Sequence, residues 1–194
     1  MGYGVWLVIA TVLAGRAVAQ PAPPPPETVA EHVRDWPRAA QLAAEMITQK
    51  YGPPRDMTET MLVWGASGPW KRTIVYRDGI PHNFPEPHTD VIQQFINFQV
   101  PFDMIDDLAE FDGSLLVDRT RGELSVRCES EGTNFAVMNL ANELVNGKRS
   151  LQDTRRMLAA QVSAMRAGRS ASYTKRLLFT PPINAADPDS PVMR

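Results

Sequence analysis

Cysteine is almost absent, since the chain of 194 residues has a single one, Cys128. One thiol does not close an internal disulfide, so no disulfide framework stabilises this fold. Metal sites and haem-attachment motifs that need two closely spaced cysteines are excluded as well. Stability must therefore come from a hydrophobic core, which a chain of this length with 43% hydrophobic residues can form.

An excess of positive charge is also missing. The 20 Lys and Arg residues are balanced by 22 Asp and Glu residues, which gives a formal net charge of −2. A nucleic-acid-binding domain needs a basic face, so we expect no nucleic-acid partner. The sequence has no phosphate loop, dinucleotide fingerprint or Gly-x-Ser-x-Gly elbow. We therefore assign no catalytic residues and favour a protein that is not an enzyme.

Long hydrophobic runs are lacking, and the longest one lies at the N-terminus. Residues 5–14 are almost wholly apolar, and Ala17-Val18-Ala19 before Gln20 has the small-x-small form of a signal-peptidase site. The run is shorter than the ~20 residues that span a bilayer. We therefore predict a cleaved signal peptide at residues 1–19, a periplasmic or secreted protein, and no stable membrane span after cleavage.

Proline-rich segments flank the rest of the chain. Residues 20–34 include a run of prolines that predicts an extended linker without helix or sheet hydrogen bonds. Residues 180–194 are rich in Pro, Asp and small side chains, and they predict a flexible C-terminal tail. The segment between them, residues 35–179, is expected to form a single domain.

Runs of β-branched and aromatic residues predict five strands within that domain. Two Gly-containing connections each join a pair of short runs, which is typical of a hairpin. The predicted strands are residues 61–64, 70–77, 91–100, 114–119 and 123–128.

Alternation along residues 70–77 separates an apolar face of the strand from a mostly polar one. The apolar face consists of Trp70, Ile74 and Tyr76, and the polar face of Lys71, Thr73, Val75 and Arg77. We predict that the apolar face is buried and that the polar face is largely wet, as in an antiparallel sheet covered on one side. The same alternation in the last strand points Cys128 to the core, where a thiol acts as a small hydrophobe.

Four amphipathic helices are predicted from apolar residues at helical spacing. The first lies between Pro37 and Gly52, and the others occupy residues 101–111, 134–146 and 150–168. Helices packed on one face of an antiparallel sheet are the economical way to bury these stripes. We therefore predict an α+β fold, an antiparallel sheet of about five strands in two hairpins plus one long strand, with helices on one face.

The most unusual local sequence is residues 81–90, which contain two of the three His residues among three prolines. His82 and His88, with Glu86 as a third ligand, have the side-chain types of a Zn or Cu site. Asp90 or a Met is an alternative third ligand. The spacing matches no known metal motif, and a stiff loop whose polar side chains bind backbone groups or water is the simpler interpretation.

Two functions are left open by the sequence. The first is an exported accessory or binding domain of the cell envelope, without evident catalysis and without a cofactor, whose partner is another envelope protein. The alternative is a metal-binding or metal-dependent periplasmic protein that uses the His82/His88 loop. Convergence of the two His side chains would favour the metal-binding function, and splayed side chains would favour the accessory domain.

Overall fold

The computed structural model describes residues 28–193 together with Met1. The predicted signal peptide and most of the predicted linker therefore lie outside the described residues. The end of the linker range contains a short helix, α1 (Val29–His32), which is capped by Thr28 and which we did not predict. No helix in the described part of the chain is long and apolar enough to cross a bilayer.

An antiparallel sheet is the centre of the described fold, with strand order β1-β2-β3-β4-β6-β5. Its strands are β1 (Asp56–Met57), β2 (Met61–Trp64), β3 (Arg72–His82), β4 (His88–Asn97), β5 (Leu116–Asp118) and β6 (Glu123–Cys128). The predicted α+β fold with an antiparallel sheet is confirmed. The sheet has one strand more than the five predicted, because the two-residue β1 pairs with β2.

The helices pack on one face of this sheet, as predicted. After α1, the helices are α2 (Arg38–Tyr51), α3 (Ile105–Phe111), α4 (Glu131–Val145) and α5 (Leu151–Arg166). Helix α2 covers β3 and β4, α4 covers β4 and β6, and α3 and α5 pack against α4. Helix α2 ends at Gly52, whose φ of 81° lies in the left-handed region that favours glycine.

The predicted faces of β3 are wrong. Thr73 and Val75 are fully buried against the helices, whereas Ile74 and Tyr76 are only half-buried on the opposite face. The error comes from Trp70, which is buried but lies in the turn before the strand, so that its burial does not report the strand register. A Thr is tolerated in the core because its hydroxyl accepts a hydrogen bond from a buried Gln at 3.2 Å.

β3 and β4 form a hairpin that we did not predict, and both strands extend into the segment between the predicted strands, so that only residues 83–87 connect them. Residues 80–82 and 88–90, which lie between the two predicted strands, pair with each other, and His82 lies directly opposite His88. The register shifts between Val75 and Ile80, where β3 carries extra residues in a bulge. Gly79 lies in this bulge, and a Cβ there would meet the Thr89 side chain at 2.3 Å.

A buried carboxylate connects α2, α4 and the sheet. Glu131 Oε1 accepts hydrogen bonds from Tyr51 Oη at 2.6 Å, Trp70 Nε1 at 2.6 Å and Gln94 Nε2 at 3.1 Å. Its other oxygen accepts a hydrogen bond from Lys50. Burial alone would raise the pKa of Glu131, but these hydrogen bonds outweigh burial and hold the pKa below its ordinary value.

The predicted C-terminal tail has no helix or strand over residues 180–193. It lies beside the end of β4, where Asn97 Nδ2 donates to the backbone oxygens of Pro182 at 3.2 Å and Ile183 at 2.7 Å. Gln99 donates to the Ala186 carbonyl at 3.2 Å. The flexibility of this tail stays a prediction.

Candidate metal centre

The end of the β3–β4 hairpin at which residues 83–87 join the two strands brings the two predicted His ligands together. His82 is the last residue of β3 and His88 the first of β4, and their rings have centroids 4.8 Å apart. Asp90 lies two residues further along β4, on the same face of the strand as His88. The hairpin register therefore positions two imidazoles and one carboxylate side by side.

The ligand atoms of these three residues have the spacing of a coordination shell. His82 Nδ1 is 3.3 Å from Asp90 Oδ2, and His88 Nε2 is 3.0 Å from Asp90 Oδ1. One ligand atom from each residue lies within 4.8 Å of the others. Ligands at ~2.0–2.1 Å from a tetrahedral ion are separated by about 3.3 Å. The distances from the two imidazoles to Asp90 are of this size, and each imidazole faces a different oxygen of the carboxylate.

Two of these atoms are buried without a hydrogen-bond partner. His82 Nδ1 and Asp90 Oδ1 both lie close to a neighbouring polar atom, but neither is oriented to form a hydrogen bond with it. Burying an unpartnered polar atom is costly, and such atoms in a folded protein call for an explanation. A cation bound between the side chains of His82 and Asp90 would give both atoms a partner.

Each His turns its other ring nitrogen toward an oxygen acceptor. His88 Nδ1 is 2.7 Å from the Glu86 carbonyl oxygen, so an Nδ1–H donor leaves Nε2 facing Asp90, where Nε2 carries either a proton or a metal ion. His82 Nε2 faces Asp112 Oδ1 at 3.9 Å. For His88 the outer oxygen acceptor fixes the tautomer, as is characteristic of metal-ligating His, whereas the distance from His82 Nε2 to Asp112 Oδ1 is too long for a hydrogen bond.

Asp112 is a part of the site that the sequence did not indicate. It lies directly after α3, and it accepts hydrogen bonds from Ser114 N at 2.9 Å and Ser114 Oγ at 2.7 Å. Burial raises the pKa of Asp112, and the two hydrogen bonds from Ser114 offset part of this effect. No local pattern in the sequence could have found it, because its role depends on where α3 ends relative to the hairpin.

The electrostatics of the site favour a positive charge between the side chains. Burial alone would lower the pKa of His88, but Asp90 and the neighbouring Cys128 thiol outweigh burial and raise the pKa to about 11. Asp90 is almost fully buried, so its charge needs a compensating cation. Either a proton on His88 or a metal ion can supply that charge.

The third predicted ligand, Glu86, lies elsewhere. Its carboxylate forms an ion pair with Arg166 Nε at 2.7 Å, and 45% of its side chain is exposed. Glu86 contributes its backbone carbonyl to His88, and Asp90, the alternative third ligand, occupies the position beside the two imidazoles. Arg166 also binds Glu129 at 2.7 Å, so the ion pair anchors the hairpin connection to α5.

Cys128 is buried next to the site, as its strand register predicted. Its Sγ is 3.3 Å from His88 Nε2. A nucleophilic Cys–His pair has an orienting carboxylate on the opposite ring nitrogen, whereas Asp90 approaches the same Nε2 as the thiol. Cys128, His88 and Asp90 therefore do not form a catalytic triad.

Comparisons of the chain with protein-family models, curated proteins and solved structures find no match. The function is therefore inferred from the geometry and chemistry of the site.

Proposed function

We propose that this protein is an exported metal-binding protein of the cell envelope, which holds one Zn(II) ion between His82, His88 and Asp90. The observation that carries the proposal is the grouping of these three largely buried side chains, whose ligand atoms lie within 4.8 Å of one another. The proposed export rests on the N-terminal sequence of residues 1–19.

The donor set favours a transition metal over the alkaline-earth ions. Mg²⁺ and Ca²⁺ prefer shells made of oxygen, whereas imidazole nitrogen suits Zn and Cu. Distances of 3.0 and 3.3 Å between the donor atoms agree with a tetrahedral shell, the usual geometry of Zn(II) in proteins. Cu(II) prefers a tetragonal shell, so we place copper second.

A metal ion at this position would be shielded from solvent. The side chains of His88 and Asp90 are each 3% exposed, and His82 is 17% exposed. The ion would fasten the end of β3 to β4, which suits a stabilising or metal-carrying role in an accessory domain. The partner of such a domain is proposed to be another protein of the cell envelope, on the basis of the export signal alone.

Calorimetric titration of metal-free protein with Zn(II) tests the proposal. We expect one binding event per chain in the wild type and none in the double variant His82→Ala/His88→Ala. His32→Ala is the matched control, because His32 lies on α1 and contacts the Thr58 carbonyl oxygen at 2.7 Å, away from the hairpin end. Identical isotherms for the wild type and the double variant would refute a site at these residues.

A second pair of variants separates the two candidate carboxylates. Asp90→Asn should weaken Zn(II) binding sharply, because it removes the charge that faces both imidazoles. Glu86→Gln should leave the affinity unchanged, because the Glu86 carboxylate pairs with Arg166. The reverse result would mean that the connection rearranges and that Glu86 is the ligand.

A further inference from the structure

The sulfur of Cys128 borders the proposed metal position from a third strand. β6 pairs with β4, and Cys128 is the register partner of Ile92, two residues beyond Asp90. Cys128 Sγ lies 3.3 Å from His88 Nε2, the nitrogen that faces the ion in the proposed site. The Cys128 side chain is almost fully buried.

The distance between sulfur and nitrogen fits ligands of one ion. With Zn–S at ~2.3 Å and Zn–N at ~2.0–2.1 Å, two tetrahedral ligands are about 3.5 Å apart. An ion bound by His88 Nε2 therefore lies next to this sulfur. The ligand atoms of His82, His88 and Asp90 lie within 4.8 Å of one another, and His88 Nε2 is the one from which the 3.3 Å to the sulfur is measured.

We propose that the Cys128 thiolate is the fourth ligand, so that the centre is closed and contains sulfur. This inference rests on the metal-binding function proposed above. On binding, the S–H bond breaks, the sulfur forms a bond to the divalent ion, and the proton leaves to the buffer. No electron is transferred in this step.

A fourth protein ligand has two consequences for function. A thiolate makes the site prefer Zn(II) and other thiophilic ions to Mn(II), Mg(II) and Ca(II). It also takes the position that a catalytic zinc site reserves for water. The centre would therefore store a metal or stabilise the fold, and it would not activate water for hydrolysis.

Titration with Co(II) alone tests this inference, because cobalt reports its ligands by absorption. The wild type should show visible bands of a tetrahedral ion together with a near-ultraviolet sulfur-to-cobalt charge-transfer band. Cys128 is the only cysteine in the chain, so such a band identifies its thiolate. Cys128→Ser should lose the band and bind Co(II) on the order of 10- to 100-fold more weakly. Loss of a residue that only supports a ligand already lowers metal affinity by this factor.

The outcomes separate the two proposals. Co(II) binding without the charge-transfer band, and with equal affinity in Cys128→Ser, would overturn the fourth ligand and leave the three-residue site intact. Absence of both Co(II) and Zn(II) binding in the wild type would overturn the metal site and the fourth ligand together. The wild-type spectrum decides the role of Cys128 by itself, so the test does not depend on the folding of the variant.

Discussion

Glu131→Gln tests the proposed role of the buried carboxylate that connects α2, α4 and the sheet. The substitution preserves the shape of the side chain and removes its charge. Tyr51, Trp70 and Gln94 all donate to Oε1, and Lys50 donates to the other oxygen. In the variant an amide NH₂ must occupy one of the two oxygen positions. We therefore expect the folded state to lose stability although no cavity forms.

The size of the effect follows from the donors. A hydrogen bond to a charged group contributes about 1.5–3 kcal/mol and a neutral one about 0.5–1.5 kcal/mol, so each of the three donors loses roughly 1 kcal/mol. The ion pair with Lys50 adds less than about 1 kcal/mol, because half of the Lys50 side chain is exposed. Relief of the buried charge offsets part of this loss. We expect a net destabilisation of about 2–3 kcal/mol.

The pH dependence gives an independent check of the same carboxylate. The pKa of Glu131 is lowered on folding from an ordinary value of 4.5. A lowered pKa means that the stabilisation is fully present above the pKa of the unfolded state and is lost as the pH falls through that of the folded state. The stability difference between wild type and Glu131→Gln should thus be constant near neutral pH and shrink below about pH 4.5.

Urea denaturation of both proteins across this pH range measures the difference, and Glu129→Gln is the matched control. Glu129 lies two residues away in a more exposed ion pair with Arg166, so its loss should change stability by less than about 1 kcal/mol. Equal midpoints for the wild type and Glu131→Gln, or a difference that persists unchanged in acid, would refute the role assigned to Glu131.

Three further predictions concern other positions. Trp70→Ala should destabilise the fold by ~3–5 kcal/mol, because Trp70 is fully buried and stacks on Phe135. A denaturation midpoint near that of the wild type would contradict this. Gly79→Ala should weaken Zn(II) binding and lower stability by ~1–3 kcal/mol, because the added Cβ would collide with β4 beside the site. Gly113→Ala is the control, since a Cβ there meets open space, and it should change neither the Zn(II) affinity nor the stability. In the metal-free folded protein, buried Cys128 should react slowly with a thiol reagent, and in the protein unfolded by denaturant it should react quickly. Rapid labelling of the folded protein would show that the sulfur is accessible.

The length of the β3–β4 hairpin could not be predicted from local sequence. The predicted strand ends at residue 77, and Gly79 and Pro81 beyond it are residue types that argue against a strand. In the structure β2 pairs with β3 only as far as Tyr76. Beyond that point no strand among the described residues pairs with this side of β3, so Pro81 is tolerated although it has no N–H to donate.

The candidate site was predictable only where its residues are close in the sequence. His82, His88 and Asp90 could be grouped because they lie in one ten-residue segment. Asp112 and Cys128 reach the same place through the end of α3 and the pairing of β6 with β4. Such pairing depends on long-range packing, which neither alternation nor turn residues specify.

The metal content of the protein, purified without chelator from its native compartment, tests the metal-binding proposal most directly. Elemental analysis of the wild type and of His82→Ala/His88→Ala, prepared side by side, makes the comparison specific to the site. We predict about one zinc ion per wild-type chain and none in the double variant. Wild-type protein without a bound transition metal, or equal metal in both preparations, would contradict the account.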